Sequence, residues 1–588
     1  MLRIALQNST SFNSPPSSGR STPLGFAMTV KVTYCKFHMI VNNRRVDSHG
    51  RFAAGGTRRS DKIIARRGMA VDAMTLLDLI DGSARKHPHK AMIEAAGEIW
   101  TYGEAVAASH RTAALLHARG VTAGARVAVM SYNTPEFIVA MIAIWRQGAV
   151  LVPVNHKLTA AECRYIFNHC DAGLILVSDG LPTAVKAGHD ALILSLDGTS
   201  RDGTVLVQRD AAPTRDIVHS VDAQSPAQIL YTSGTTGRPK GCVHSHRTVR
   251  NTAMLSAISF SMVPTDRTLI AMPIWHAAPL DNFCMSTLFV GGTIVLLREY
   301  APQAFVRALQ DDGVSVYFGA PVSFTLPLAL PEGLNGYDFS SVRVLAYGGG
   351  PIGATLSRQL TEAYRTDRFY QVYGMTETGP GGTLLYPDEQ QDKAGSIGRV
   401  SQPGTDMLVV RTDGGDAMPG EVGEIWLRSE SLMLGYLNDP AATAAVVADG
   451  WYKTGDLARV DADGFLFIVD RLKDMIITGG ENVYSKEVED ALSQVPGIAD
   501  CAVIGLPHET WGETIVAVIV PAAGASLSHD ALRGALRQHL AAYKIPRRFV
   551  EAAMLPRTPT GKVMKPVLRS MFADAQDTSA SAAVRGDA

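Results

Sequence analysis

The segment YTSGTTGRPKG, residues 231–241, decides how this chain is read. The residues before it, Gln228 to Tyr231, form a short strand-like run, so the glycines and hydroxyls that follow stand at the end of a strand. Gly234 and Gly237 free the backbone to curl, Thr232, Ser233, Thr235 and Thr236 offer hydroxyl donors, and Lys240 supplies positive charge. Those are the components of a phosphate cradle. The Walker spacing G-x-x-x-x-G-K-[ST] is absent, because the two glycines stand three apart with Lys240 displaced, and P-loop chemistry does not transfer.

Working outward, helix and strand patterns alternate from Met74. Thr101 and Glu104 have capping-box spacing for a helix that Gly120 ends, and Thr159 and Glu162 repeat the device. Between them fall a strand Arg126 to Met130, a helix Pro135 to Gly148 and a strand Ala149 to Val154, with a further strand Gly173 to Val177. This succession predicts an α/β fold with doubly wound, mostly parallel sheets and ligand sites at the carboxyl ends of strands. Two later runs obey that rule: Val342 to Tyr347 leads into Gly348, Gly349 and Gly350, and Tyr370 to Tyr373 into Gly374, Met375, Thr376 and Glu377. Past Lys473 the elements shorten. A helix carrying Val488, Leu492 and Val495, strands Cys501 to Gly505 and Thr514 to Val520, and a helix with Leu532, Leu536 and Leu540 predict a small α+β unit. The expected divisions are an extension over 1–72, a large domain over 73–472, a small mobile domain over 473–570 and a flexible tail over 571–588.

The 588 residues carry a net charge of −1, which excludes a global pull toward nucleic acid or anionic membrane. Charge is uneven, however: residues 1–72 hold twelve Lys/Arg against three Asp/Glu. That leader reads as a disordered extension from an upstream start codon, with an organelle transit peptide as the alternative. Hydrophobic residues at 46% and charged residues at 19% are ordinary for a globular chain. Six cysteines without a C-x-x-C pair predict a reducing, cytoplasmic setting, and no apolar run reaches the ~18 residues of a membrane span. A homodimer is left open.

Five further strings accompany the opening loop in order: YGMTE (373–377), YKTGD (452–456), DRLKDMI (470–476), GGEN (479–482) and PRTPTGK (556–562). Together the six resemble the adenylate-forming superfamily of acyl-CoA synthetases, peptide-synthetase adenylation domains and luciferases, over about Met74 to Arg569. The resemblance implies an enzyme that joins a carboxylic acid to AMP using ATP and Mg²⁺, then passes the acyl group to a thiol.

It also implies roles for individual residues. Attack of a carboxylate on the α-phosphorus brings two anions together, so cations and donors are needed where charge builds. Glu377 is implied as the Mg²⁺ ligand, with Thr232 beside it at the metal and Thr232 and Thr376 at the phosphates. The stretch from Thr232 through Ser233, Gly234, Thr235, Thr236 and Gly237 to Lys240 would cover the β/γ end. Asp456, assisted by Arg471, would clamp the ribose. Tyr373 with Gly374, and Gly348, Gly349 and Gly350 opposite, would sandwich the adenine. Lys562 is implied as the lysine that neutralises carboxylate and α-phosphate in the transition state. Lys473 falls at the hinge position. Gly479, Gly480 and Glu481 form the loop that replaces Lys562 when the small domain rotates to admit the thiol.

The implied acyl wall comprises Trp275, His276, Ala277, Asn282 and Gly319 through Ala320 to Pro321, with Tyr347, Gly348, Met375 and Gly381. Its largely apolar lining suits a medium-chain or aryl acid. Trp275 and His276 stand where amino-acid-activating domains carry a Phe-Asp pair, which disfavours an amino-acid substrate, and Asp281 lies five residues further on. No insertion separates Arg471 from Gly479 and no carrier domain follows Lys562, so coenzyme A is the expected thiol. The alternatives are loading of a separate carrier protein and nucleotide binding without turnover.

Overall fold

Both expected capping boxes form. Thr101 accepts from the Glu104 amide at 3.2 Å while the Glu104 carboxylate accepts from the Thr101 amide at 2.8 Å, opening the helix Tyr102–Ala118. Thr159 and Glu162 do the same for Ala160–His169. Each box satisfies two amides that a helix start leaves without an internal partner.

The computed structural model describes residues 74–181, 191–196, 221–232, 238–525, 527–557 and 563–573, all within one unit of the chain spanning 69–588. The basic extension 1–72, residues 574–588, the loop residues Ser233, Gly234, Thr235, Thr236 and Gly237, and Lys562 lie outside the described residues. Among the described residues no helix is long and apolar enough to cross a membrane.

Two large sheets carry the first part of the chain. In the seven-stranded one, strands Val150–Val154, Arg126–Met130, Ala172–Val177 and Leu192–Ser195 run parallel to Pro226–Thr232. The nine-stranded one has six parallel strands at its centre, from Phe369–Gly374 to Ala91–Ala95. Both finish in antiparallel strands at an edge, so the sheets are mixed and mostly parallel, as the sequence predicts. The helix Pro135–Arg146 shows why they stay together: eleven of its twelve residues are buried, all but Glu136, and the core cluster it belongs to includes Val127 and Leu151 of one sheet and Ile294 and Val316 of the other. A helix apolar all round has no face to give to water.

A five-stranded antiparallel sheet follows, built on Thr405–Val410, Val422–Ser429, Trp451–Val460 and Leu466–Arg471. The last sheet belongs to the smaller C-terminal domain, with helices Ser485–Ser493 and His529–Leu536 in one core and Lys565–Phe572 in another. Its strands are longer than the sequence suggests: Ile498–His508 and Gly512–Pro521 span 11 and 10 residues. Continuous pairing from Asp500↔Val520 to His508↔Gly512 carries both beyond their apolar centres. The helices are shorter, and Val495 and Leu540 pack from beyond their ends. The final helix reaches Phe572, into the segment expected as tail.

Candidate active site

The glycine- and hydroxyl-rich loop joins two antiparallel neighbours, Pro226–Thr232 and Lys240–Ser245, rather than a strand and a helix. Thr232 and Lys240 are therefore a cross-strand pair at the loop's base. Two residues into the return strand, buried Cys242 meets both the Thr232 hydroxyl and the Glu377 carboxylate; burial and the Glu377 charge hold its thiol well above the ordinary range.

Glu377 sits in the short turn Thr376–Thr378 that follows the strand Phe369–Gly374. Its main chain is fixed on either side: the Met433 amide donates to the Glu377 carbonyl at 2.8 Å, and His244 Nε2 donates to the Thr376 carbonyl at 2.8 Å. Burial lowers the His244 imidazole to about 4, so the ring is neutral, with its proton on the donating nitrogen. The Tyr436 hydroxyl donates to Glu377 Oε1 at 2.9 Å. Lys240 Nζ stands 4.7 Å above the Tyr436 ring. Among the described residues no three His, Cys, Asp or Glu side chains gather as a metal cage. A lone carboxylate such as Glu377 fits Mg²⁺, which keeps waters and shares substrate phosphates instead of occupying an all-protein cage.

The expected ribose clamp forms a contact: Asp456 and Arg471 are a register pair of the strands Trp451–Val460 and Leu466–Arg471, with Arg471 Nε 3.0 Å from Asp456 Oδ1. The Tyr373 hydroxyl donates to Asp456 Oδ2 at 2.9 Å. The aromatic expected at the adenine and the carboxylate expected at the ribose thus touch. Gly374 faces Gly382, and a Cβ on Gly374 would come 2.3 Å from the Pro380 carbonyl oxygen, so neither close strand tolerates a side chain there. Gly348 is buried, with Val372 O and the Phe318 ring where a Cβ would stand; Gly349 has φ +78° and Gly350 follows it.

Among the residues expected to line the acyl wall, Trp275 and His276 have ring centroids 3.9 Å apart. His156, from the loop after Val150–Val154, meets Trp275 edge-on at 6.2 Å and Tyr132 at 4.8 Å. His156 Nδ1 lies 3.3 Å from the Ser131 carbonyl, and burial lowers its pKa, leaving a neutral ring whose Nε2 is an unpartnered acceptor. Among the described residues, Trp275 Nε1 is a buried donor that no group accepts from. Asn133 orders this corner by donating toward the carbonyls of Ile270, Met272 and Leu297 while accepting from the Ile274 amide. Asn282, on a π-helical turn, donates to the Pro380 carbonyl at 3.2 Å and so meets the segment holding Met375 and Gly381, which Thr378 Oγ1 closes by donating to the Gly381 carbonyl. Ala320 precedes the helix Pro321–Thr325, and Gly319 has no room for a side chain against Ser323 and Tyr317. Tyr347 departs from this group: it packs in the core with Phe305, Tyr317 and Phe369, and its hydroxyl donates to Gln390 at 2.8 Å.

In the small domain Gly479 and Gly480 form the tight turn between Ile476–Thr478 and Glu481–Val483, with φ of +61° and +85°. Lys473 is anchored through Arg569, which reaches its carbonyl at 3.4 Å and Asp474 at 2.9 Å. Three residues grouped around Glu377 escaped the sequence reading: Cys242, Tyr436 and Tyr452. Tyr452 opens the quoted YKTGD string, four residues before Asp456.

Comparison with known proteins accords with this geometry. The AMP-binding enzyme family matches residues 80–437, and the AMP-binding enzyme C-terminal domain matches 487–562. A feruloyl-CoA synthase of Amycolatopsis sp is 36% identical over 83% of this chain and 97% of its own. A long-chain-fatty-acid–CoA ligase of Mycobacterium tuberculosis is 36% identical over 80% and 93%. The structure of O-succinylbenzoate coenzyme A synthetase from Bacillus subtilis with ATP and magnesium superposes with TM-score 0.74 at 28% identity, over 83% of this chain and 98% of that one. The chain belongs to the AMP-binding enzyme family, and within it to the AMP-forming acid–thiol ligases.

Proposed function

We propose that the protein activates an aryl or medium-chain carboxylic acid with ATP, releasing pyrophosphate, and then transfers the acyl group to coenzyme A with release of AMP. The observation that carries this reading is the convergence of two clusters at the end of the strand Phe369–Gly374: Tyr373 with Asp456 and Arg471, and, in the turn that follows, Glu377 with Cys242 and Tyr436, which also meet Thr232 and Lys240. The tyrosine ring presents a face to adenine, Asp456 accepts from the ribose hydroxyls, and Thr232, Thr376 and Lys240 meet the phosphates. Mg²⁺, when bound at Glu377, supplies the charge that lets an acid approach a triphosphate. Lys562 then stabilises charge at the α-phosphate, and rotation about Lys473 exchanges it for the Gly479–Gly480 turn. Large-domain and small-domain limits of 73–472 and 473–570 follow from this division of labour.

For the acid, the rings of Trp275, His276, His156 and Tyr132 favour an aryl group, as in the feruloyl-CoA synthase relative. The unpartnered Trp275 Nε1 and His156 Nε2 leave one donor and one acceptor for a hydroxyl substituent. Function in the cytoplasm fits the six scattered cysteines. The test is pyrophosphate exchange with a panel of aryl and medium-chain acids, followed by AMP release with and without coenzyme A. Exchange with no acid would overturn the reading. Exchange without coenzyme A-dependent AMP release would move the acceptor to a carrier protein.

A further inference from the structure

We propose that Tyr436 is a positioning residue that sets the metal carboxylate and the phosphate-facing lysine from one side chain. The inference rests on the reading of Glu377 as the Mg²⁺ ligand. Tyr436 closes the two-residue strand Gly435–Tyr436 and pairs in register with Cys242, which puts it diagonally across from Lys240 on the return strand of the loop. Its main chain is tied down on one side by Thr443 Oγ1, which accepts from the Tyr436 amide at 2.9 Å, and on the other by the Asp439 amide, which donates to the Tyr436 carbonyl.

The side chain then has two contacts of different kinds. Its hydroxyl donates to one oxygen of Glu377 at 2.9 Å, which fixes the carboxylate torsion and directs the other oxygen to a metal ion. Its ring face holds the Lys240 ammonium 4.7 Å away, within the range of cation–π attraction. The hydroxyl is also hydrogen-bonded to that of Tyr452, whose strand bears Asp456. Lys240 and Glu377 carry opposite charges on either side of this residue. With the ring beneath one and the hydroxyl on the other, each is presented to the triphosphate instead of being drawn to its opposite.

The experiment is calorimetric titration of ATP into the full-length protein, with Mg²⁺ and with EDTA, for wild type, Tyr436→Phe, Glu377→Gln and the double variant. Tyr436→Phe keeps the ring and loses the hydroxyl. Its Mg²⁺-dependent gain in ATP affinity is expected to fall about 10- to 100-fold, the usual effect of removing a group that orients a metal ligand, while affinity in EDTA holds. In the Glu377→Gln background the same substitution is expected to change nothing further, since the group it orients is gone. Tyr436→Leu removes the ring as well and is expected to weaken binding in EDTA too, through Lys240. Equal loss with and without Mg²⁺ in Tyr436→Phe, no loss at all, or full additivity with Glu377→Gln would overturn the proposal. A failure of the metal reading looks different: the wild type itself would then show no Mg²⁺-dependent gain.

Discussion

Asp281→Asn should make the protein more stable at neutral and alkaline pH and flatten the dependence of its stability on pH. Asp281 is 1% exposed on the turn Ala278–Cys284, and both its oxygens accept from Gln228 Nε2 at 2.8 Å. Burial pushes its carboxyl up from 3.8 to about 7, with the Gln228 bond opposing. Between those two values the folded chain keeps a proton that the unfolded chain releases. Stability therefore falls as pH rises through that window; the cost is absent below pH 3.8 and complete above about pH 7. Three pK units at ~1.4 kcal/mol each amount to about 4 kcal/mol. Unfolding on the order of 500 residues carries an entropy near 1 kcal/mol/K, so the shift in midpoint is ~4 °C. Asparagine has nearly the same shape, keeps an oxygen for Gln228 Nε2, and turns a donor toward Gln228 Oε1, which is buried without a partner. Thermal midpoints of both proteins between pH 5 and 8.5 check this: two of the three units lie within that range, so the wild type should fall relative to the variant by about 3 °C. Parallel curves would refute the reasoning, because they would mean that Asp281 titrates alike in both states.

Other substitutions separate the two half-reactions. Lys562→Ala should slow pyrophosphate exchange by about 100-fold or more, the effect of losing one transition-state donor, yet leave thioester formation from supplied acyl-AMP near wild type; equal losses in both would remove the lysine from its role. Gly480→Val should act in the opposite sense, impairing mainly thioester formation. No atom lies within 4 Å of a Cβ at Gly480, so its effect comes from forcing a β-branched residue to φ +85°. Trp275→Phe should reduce the ratio of kcat/KM for a hydroxylated aryl acid over its unsubstituted analogue roughly tenfold, the value of one hydrogen bond to a ligand hydroxyl; an unchanged ratio would show that the indole N–H does not meet the substituent.

How much of this was legible depended on how local the determining contacts are. Thr101 with Glu104 and Thr159 with Glu162 form their boxes across three residues, so spacing alone reveals them. Asp456 and Arg471 were linked in sequence only by the family resemblance, and antiparallel pairing of the two strands brings them together. Tyr347 shows the limit. A strand end suggests a ligand wall, but side chains alternate along Val344–Gly348, and only packing reveals that this one turns toward Phe305 and Tyr317. Tyr436 lay beyond sequence reading for a related reason. It stands 59 residues from Glu377 in the chain, its strand is two residues long, and its partner Cys242 carries no motif of its own. The strings that name the chemistry supply the charges. The aromatic and thiol groups between those charges come from segments that mean nothing until the hairpin at Thr232 and Lys240 has closed, so a substitution at Tyr436 tests the fold's contribution to the site where the strings alone would predict none.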